Sequence, residues 1–241
     1  MKQKYVFVLI PVYCLLPFLS RAQTAPADSA FGRQVAALLV QSYKKQTAEN
    51  LHLYNGSEYV LHGHGVKGFP FFQSATPLNG SVFYDGNLYE DTGLQYDLEE
   101  DNLVISDYSG NYPICLVKDK IGYFNIDGHR FVRLLSGEGL PSPGFYESLY
   151  SGKLNAWAKK LKKPISLDAS GSDASYHAYA SYFIEKQGVF YPVDKERSVL
   201  AVLNDKKDVL KKFIRSNKLS YKKDPELFLT RVAEYYTQQK D

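Results

Sequence analysis

His62 and His64 are the residues of this chain whose spacing best suits metal chemistry. On a strand, residues two apart share one face, so both imidazoles could turn toward one cation. A site also needs a third and often a fourth ligand, which folding would have to bring from His52, His129, His177, Glu58 or Asp85. The same stretch, Gly63-His64-Gly65-Val66-Lys67-Gly68, has the bare G-x-G-x-x-G spacing. That spacing cradles phosphate only where a strand feeds it and a helix begins inside it, because the helix start supplies the free amides. Phe69-Pro70-Phe71-Phe72 follows instead, so a glycine-rich turn is expected.

Ser170-Gly171-Ser172-Asp173-Ala174-Ser175, with His177 just beyond, places three hydrolase residue types in one small-residue loop. A serine nucleophile needs a rigid elbow, a histidine within hydrogen-bond reach and an acid to orient it. No G-x-S-x-G elbow occurs here, and the loop reads as a linker rather than as a site at Ser172 or Ser175. Cys115 lies in the apolar run Ile114 to Val117. A small hydrophobe in a strand is expected there, since a reactive thiol needs exposure and positive neighbours.

The acidic residues Asp85, Asp91, Asp97, Glu99, Glu100 and Asp101 resemble a store of catalytic carboxylates. Their positions argue otherwise: Asp85 belongs to a turn, Asp97 and Glu99 alternate with Leu94, Tyr96 and Leu98 on the expected wet face, and Glu100-Asp101 ends the strand. No catalytic, cofactor-binding or metal residue is assigned on these grounds, and no cofactor is implied. A hydrolase or metal-dependent enzyme using His62 and His64 stands as an alternative reading.

The elements that would carry these residues are strands. Asp85-Gly86 is a two-residue hairpin signal that folds Val82-Tyr84 back on Leu88-Glu90. Leu103-Val104-Ile105, Tyr112 to Val117, Ile121 to Ile126, Arg130 to Leu135, Phe145 to Tyr150, Leu154 to Leu161, Tyr179 to Glu185 and Val189 to Asp194 continue the rhythm, and Glu58 to His62 precedes it. Gly137 to Gly144, with Pro141 and Pro143, reads as a longer irregular loop. Residues 31–48 have helical spacing, and the helical period returns over about 198–238, with Asp224-Pro225-Glu226 as a strong helix start. The expected fold is mainly β with flanking helices: a single curved antiparallel meander sheet or partly closed barrel, with a β-sandwich as the alternative.

Residues 1–22 read as a signal peptide: Lys2 and Lys4 lead an uncharged apolar run, Tyr5 to Leu19, and Ser20-Arg21-Ala22 suits cleavage after Ala22. The chain has 29 basic and 26 acidic residues, and removal of Lys2, Lys4 and Arg21 leaves 26 against 26. Residues 23–241 then form one neutral β-rich domain with no transmembrane segment, and neutrality removes the motive for nucleic-acid binding. Cys14 leaves with the leader, so Cys115 has no disulfide partner. The dense run Lys159, Lys160, Lys162 and Lys163 is expected at a solvated strand end or against an anionic envelope component.

LYNGSEY, GSVFYDGNLYEDTGLQYDLEEDNLVI, GFYESLYSGKLNAWAKK and KKDVLKKFIRSN with its EYY ending, together with the leader, resemble a group of uncharacterised exported proteins of Bacteroidota. The resemblance implies a periplasmic or extracellular setting and one continuous β-rich unit, and carries no activity. The expected function is a non-catalytic cell-envelope binding or structural module, whose partner is an envelope component or a small ligand. An aromatic-lined curved sheet that binds an apolar or glycan ligand is the nearest alternative.

Overall fold

A computed structural model of the chain describes residues 32, 35, 38, 39, 52–62, 65–107, 112–166 and 173–239. Two units separate, Met1–Gln46 and Thr47–Asp241. In the first, Gly32, Val35, Leu38 and Leu39 are helical. The rest of the helix expected at 31–48 and the signal peptide expected at 1–22 lie outside the described residues.

The second unit is built on one sheet. Its strands are β1 (Ser57–Glu58), β2 (Leu78–Tyr84), β3 (Asn87–Asp97), β4 (Asn102–Ser106), β5 (Pro113–Cys115), β6 (Ile121–Ile126), β7 (His129–Leu134), β8 (Gly144–Ser151), β9 (Asn155–Ser166), β10 (Ala174–Lys186) and β11 (Val189–Val193). All eleven lie in one open sheet in the order β1-β5-β4-β3-β2-β6-β7-β8-β9-β10-β11. Every pairing is antiparallel. β2 sits inside the sheet, β3 to β5 grow from one side of it, and the chain returns through a short 3-10 turn, Lys118–Lys120, to start β6 on the other side. The sandwich alternative does not occur, since no second sheet forms among the described residues.

Short turns make this order possible. Asp85 and Gly86 both have positive φ, 51° and 84°, the left-handed pair that matches the twist of a two-residue hairpin. Asp127-Gly128 and Gln187-Gly188 repeat it. The strand expected at Glu58 to His62 shrinks to Ser57–Glu58, because the chain beyond it pairs singly rather than along a ladder: Tyr59 N–H donates to Pro113 O at 2.9 Å.

The sheet curves strongly. Lys162 N–H in β9 donates to Leu98 O just after β3 at 3.2 Å, although four strands separate β3 from β9 in the sheet order. The concave side holds an aromatic cluster in which Phe124 and Phe131 stack with ring centroids 5.0 Å apart, and Tyr96 and Phe145 meet them edge-on. Farther along the same face, helices α1 (Glu196–Val202), α2 (Lys207–Ser216) and α3 (Pro225–Gln238) bury Val199, Leu210, Ile214, Phe228 and Val232 in a second core with Ala156, Ile184 and Val193. Asp224 caps α3, its Oδ1 accepting from Leu227 N–H at 2.9 Å, with Pro225 at the first helical position.

Paired residues share a face, and one row runs Val82, Phe124, Phe131, Glu147, Ala158, Tyr182, Val193 across the sheet. It begins in the aromatic core and ends in the helical one. Glu147, 4% exposed, is its one charged member, and it marks the seam between the two cores.

Candidate functional site

Glu147 is not isolated. Its Oε1 pairs with His129 Nδ1, and Lys160 Nζ lies 2.7 Å from its Oε2 and 2.9 Å from Glu226 Oε1 of α3. Gln73 Nε2 lies 3.1 Å from His129 Nε2, and Phe72 packs edge-on against the imidazole. Burial alone would lower the Lys160 ammonium, but the bonds and charges of Glu147 and Glu226 outweigh it and hold it above its ordinary value. This set locks sheet to helix. Glu147 Oε2 meets the Lys160 ammonium as an ion partner without a well-directed hydrogen bond, and the lysine is held as a structural cation.

Two further carboxylates expected on a wet face or at a strand end turn inward. Asp97 is 2% exposed because it closes the turn that leaves β3. Its Oδ1 accepts from the N–H groups of Glu99 and Glu100 at 2.8 and 3.1 Å, and its Oδ2 from Tyr59 Oη at 2.7 Å. Burial and then this bond raise the Tyr59 phenol well above its ordinary range. Asp101 accepts from Tyr96 Oη at 2.6 Å, Lys159 Nζ at 2.7 Å and Phe145 N–H at 3.3 Å, tying the β3–β4 turn to β8 and β9.

The lysine run does not form the solvated strand end expected of it. Lys159, Lys160 and Lys162 point to internal partners, and only Lys163 of the four is exposed. Chain curvature brings carboxylates and carbonyls to these side chains, which local sequence does not display.

The other sequence candidates disperse. His62 is exposed and its carbonyl accepts from Tyr176 Oη at 3.3 Å, while Gly63 and His64 lie outside the described residues. Among the described residues no three His, Cys, Asp or Glu side chains converge as metal ligands. Lys67, in the glycine-rich turn, pairs with Asp173 and bridges to Ser175. Ser175 Oγ lies 3.1 Å from His177 Nε2 on one face of β10, but Asp173 is engaged by Lys67 rather than by the histidine. Ser172 lies outside the described residues. Cys115 is half-buried at the end of β5; burial raises its thiol pKa, partly countered by Lys118.

A groove of about 910 Å³ lies open beside the end of β11. Pro141, Leu161, Phe183, Pro192 and Val193 line it, together with the polar Ser181, Lys159, Asp194 and Tyr221. Lys159 spends two of its donors on Asp101 Oδ1 and Phe145 O, and Tyr221 Oη donates to Val193 O at 2.7 Å. Burial, with the Asp194 charge, pushes the Tyr221 phenol up to about 12. The groove is thus mainly apolar, and its polar groups Lys159, Tyr221 and Asp194 are held in place by partners of their own.

One wall depends on a single glycine. Phe190 N–H donates to Glu138 O at 2.7 Å, drawing the 137–143 loop onto β11. Gly139 has φ +81°, and a Cβ there would stand 2.1 Å from Phe190 O. Gly139→Ala is expected to lose about 1–3 kcal/mol and to displace Pro141 and Ser142, which urea unfolding and amide shifts would report.

Sequence reasoning passed over the groove because its residues are scattered over three strands, the 137–144 loop, and the segments after β11 and before α3. The signals present were Pro141 in the 137–144 loop and the small residues Ala180 and Ser181 within β10. No protein-family model, curated protein or solved structure matches the chain.

Proposed function

We propose that this protein is an exported, non-catalytic binding module of the cell envelope, and that its ligand lies in the groove beside β11. The observation that carries the reading is the groove itself: about 910 Å³ of mainly apolar concavity with a few fixed polar groups, the form that small-ligand sites take. The charged groups that line it, Lys159 and Asp194, and Glu226 behind Tyr182 are engaged by partners of their own, Asp194 by Lys195 at 3.2 Å, which favours recognition over catalysis. Lys159 is neutralised by Asp101, and Glu226, which accepts from Tyr182 at 3.4 Å, is held by Lys160. The export half of the proposal rests on the leader and on the resemblance to exported proteins of Bacteroidota. No described helix is long and apolar enough to cross a membrane.

The test is amide chemical-shift mapping with three probe classes: oligosaccharides, fatty acids and extended peptides. At least one class is expected to shift Ser181, Phe183 and Val193 saturably, and Ser181→Phe, which fills the groove while leaving the core untouched, is expected to abolish the effect. Binding unchanged by Ser181→Phe, or no saturable shift with any class, would refute the groove as the site.

A further inference from the structure

The long β9–β10 hairpin has an edge that the rest of the sheet leaves open. β11 pairs with β10 only over Tyr182–Lys186, although β10 begins at Ala174. Near that beginning Lys67 takes up the edge for one residue, its N–H donating to Ala174 O at 2.8 Å and its carbonyl accepting from Tyr176 N–H at 3.0 Å. Within an antiparallel strand the N–H and C=O of a residue point to one side, and the side alternates along the chain. Ala174 and Tyr176 therefore fix the outward set as the even-numbered residues, and Tyr182 and Ile184 continue it by facing β11. Between those two covers lie Ala178 and Ala180, both exposed, whose outward N–H and C=O groups meet no partner among the described residues.

Both faces beside this gap are prepared for side chains. On the face of Ala178 and Ala180, the two methyl groups border a cavity of about 340 Å³, also lined by Phe72, Lys160 and Lys162. Lys162 is paired across the ladder with Ala178. Its ammonium donates to Phe71 O at 2.6 Å and Phe69 O at 3.1 Å, and among the described residues no carboxylate pairs with it. Lys160 beside it already has Glu147 and Glu226. On the opposite face, at Ser181, the groove opens.

We propose that the β10 edge at Ala178 and Ala180 takes up an extended polypeptide segment as an added strand, with an acidic side chain meeting Lys162 and the alternate side chain entering the groove. Main-chain bonds supply the attachment, and the two cavities, reached by alternate residues, supply the selectivity. The proposal rests on the groove being the ligand site and names its ligand class. The open window is only about five residues, on the order of 15 Å, and is closed at both ends by Lys67 and Val193. A single strand enters such a window, whereas the sheet edge of a second copy would collide with those ends and bring Lys162 and Lys163 against their counterparts.

The experiment titrates the full chain with a peptide alternating valine and glutamate, and with its valine-lysine counterpart, following amide shifts. The glutamate peptide is expected to shift Ala178, Ala180 and Ser181 together, and to bind about tenfold more tightly than the lysine peptide. Ala180→Pro removes an outward N–H but none of the bonds to β9, and is expected to weaken binding about tenfold with an unchanged circular dichroism spectrum. Lys162→Met is expected to erase the preference for glutamate. Shifts from a sugar or fatty acid with none from either peptide would overturn the peptide assignment and leave the groove standing. Silence with every probe would overturn both. Concentration-dependent protection of Ala178 and Ala180 without peptide would give the edge to a second copy and overturn the proposal.

Discussion

Replacing Lys160 by methionine is expected to cost the fold about 3–5 kcal/mol at neutral pH, the scale for removing one partner of a buried ion pair. The lysine side chain is 15% exposed and stands between Glu147, 5% exposed, and Glu226, 32% exposed. Methionine keeps the volume but leaves two carboxylates facing each other across the seam between the cores. Adding Glu147→Gln removes the more buried of the two charges and is expected to recover a measurable part of the loss, so a double-mutant cycle by urea unfolding checks the pairing. The pH dependence has a definite sign. The folded lysine pKa is raised, so its contribution is complete below the unfolded value of about 10.4 and is lost as pH rises through the folded value. The wild-type protein is expected to lose stability in that alkaline window more steeply than Lys160→Met does.

Phe124→Ala is expected to be comparably severe, at about 3–5 kcal/mol. Phe124 is fully buried, stacked on Phe131 and edge-on to Tyr96 and Phe145 with ring centroids 5.1 and 5.2 Å away. These rings fill the concave side where the sheet bends, so the loss combines transfer, cavity and ring-pair contributions. Phe124→Leu keeps most of the volume and is expected to lose less. Urea midpoints at constant denaturant slope would establish the order wild type, leucine, alanine. Equal midpoints for all three would show that the aromatic cluster does not hold the bend.

Local rules reached the strands and turns because these are local features. Asp85-Gly86, Asp127-Gly128 and the Asp224-Pro225 helix start each carry their geometry within two or three residues. Alternation placed Leu94, Tyr96 and Leu98 inward, and all three are buried. The same alternation placed Asp97 outward and failed, because its carboxylate turns back to cap the amides of Glu99 and Glu100, a bond that periodicity does not register. The lysines of β9 were unreadable for another reason. Their partners Asp101, Glu147 and Glu226 lie on three other elements, brought near only by the curvature of the sheet and the docking of α3. Glu147 itself gave a signal, a lone acid inside the apolar strand Phe145 to Tyr150. The groove and the open edge depend on where β11 stops, and on the single bridge at Lys67, neither of which has a local signature.

Amide hydrogen exchange in the free protein tests the open edge beside the groove most directly. Along β10 alternation is expected: fast exchange at Ala178 and Ala180, whose N–H groups face outward, and slow exchange at Tyr179 and Ser181, which pair with Leu161 and Lys159 of β9. Uniform protection of all four amides would mean that the edge is already covered, and would contradict it.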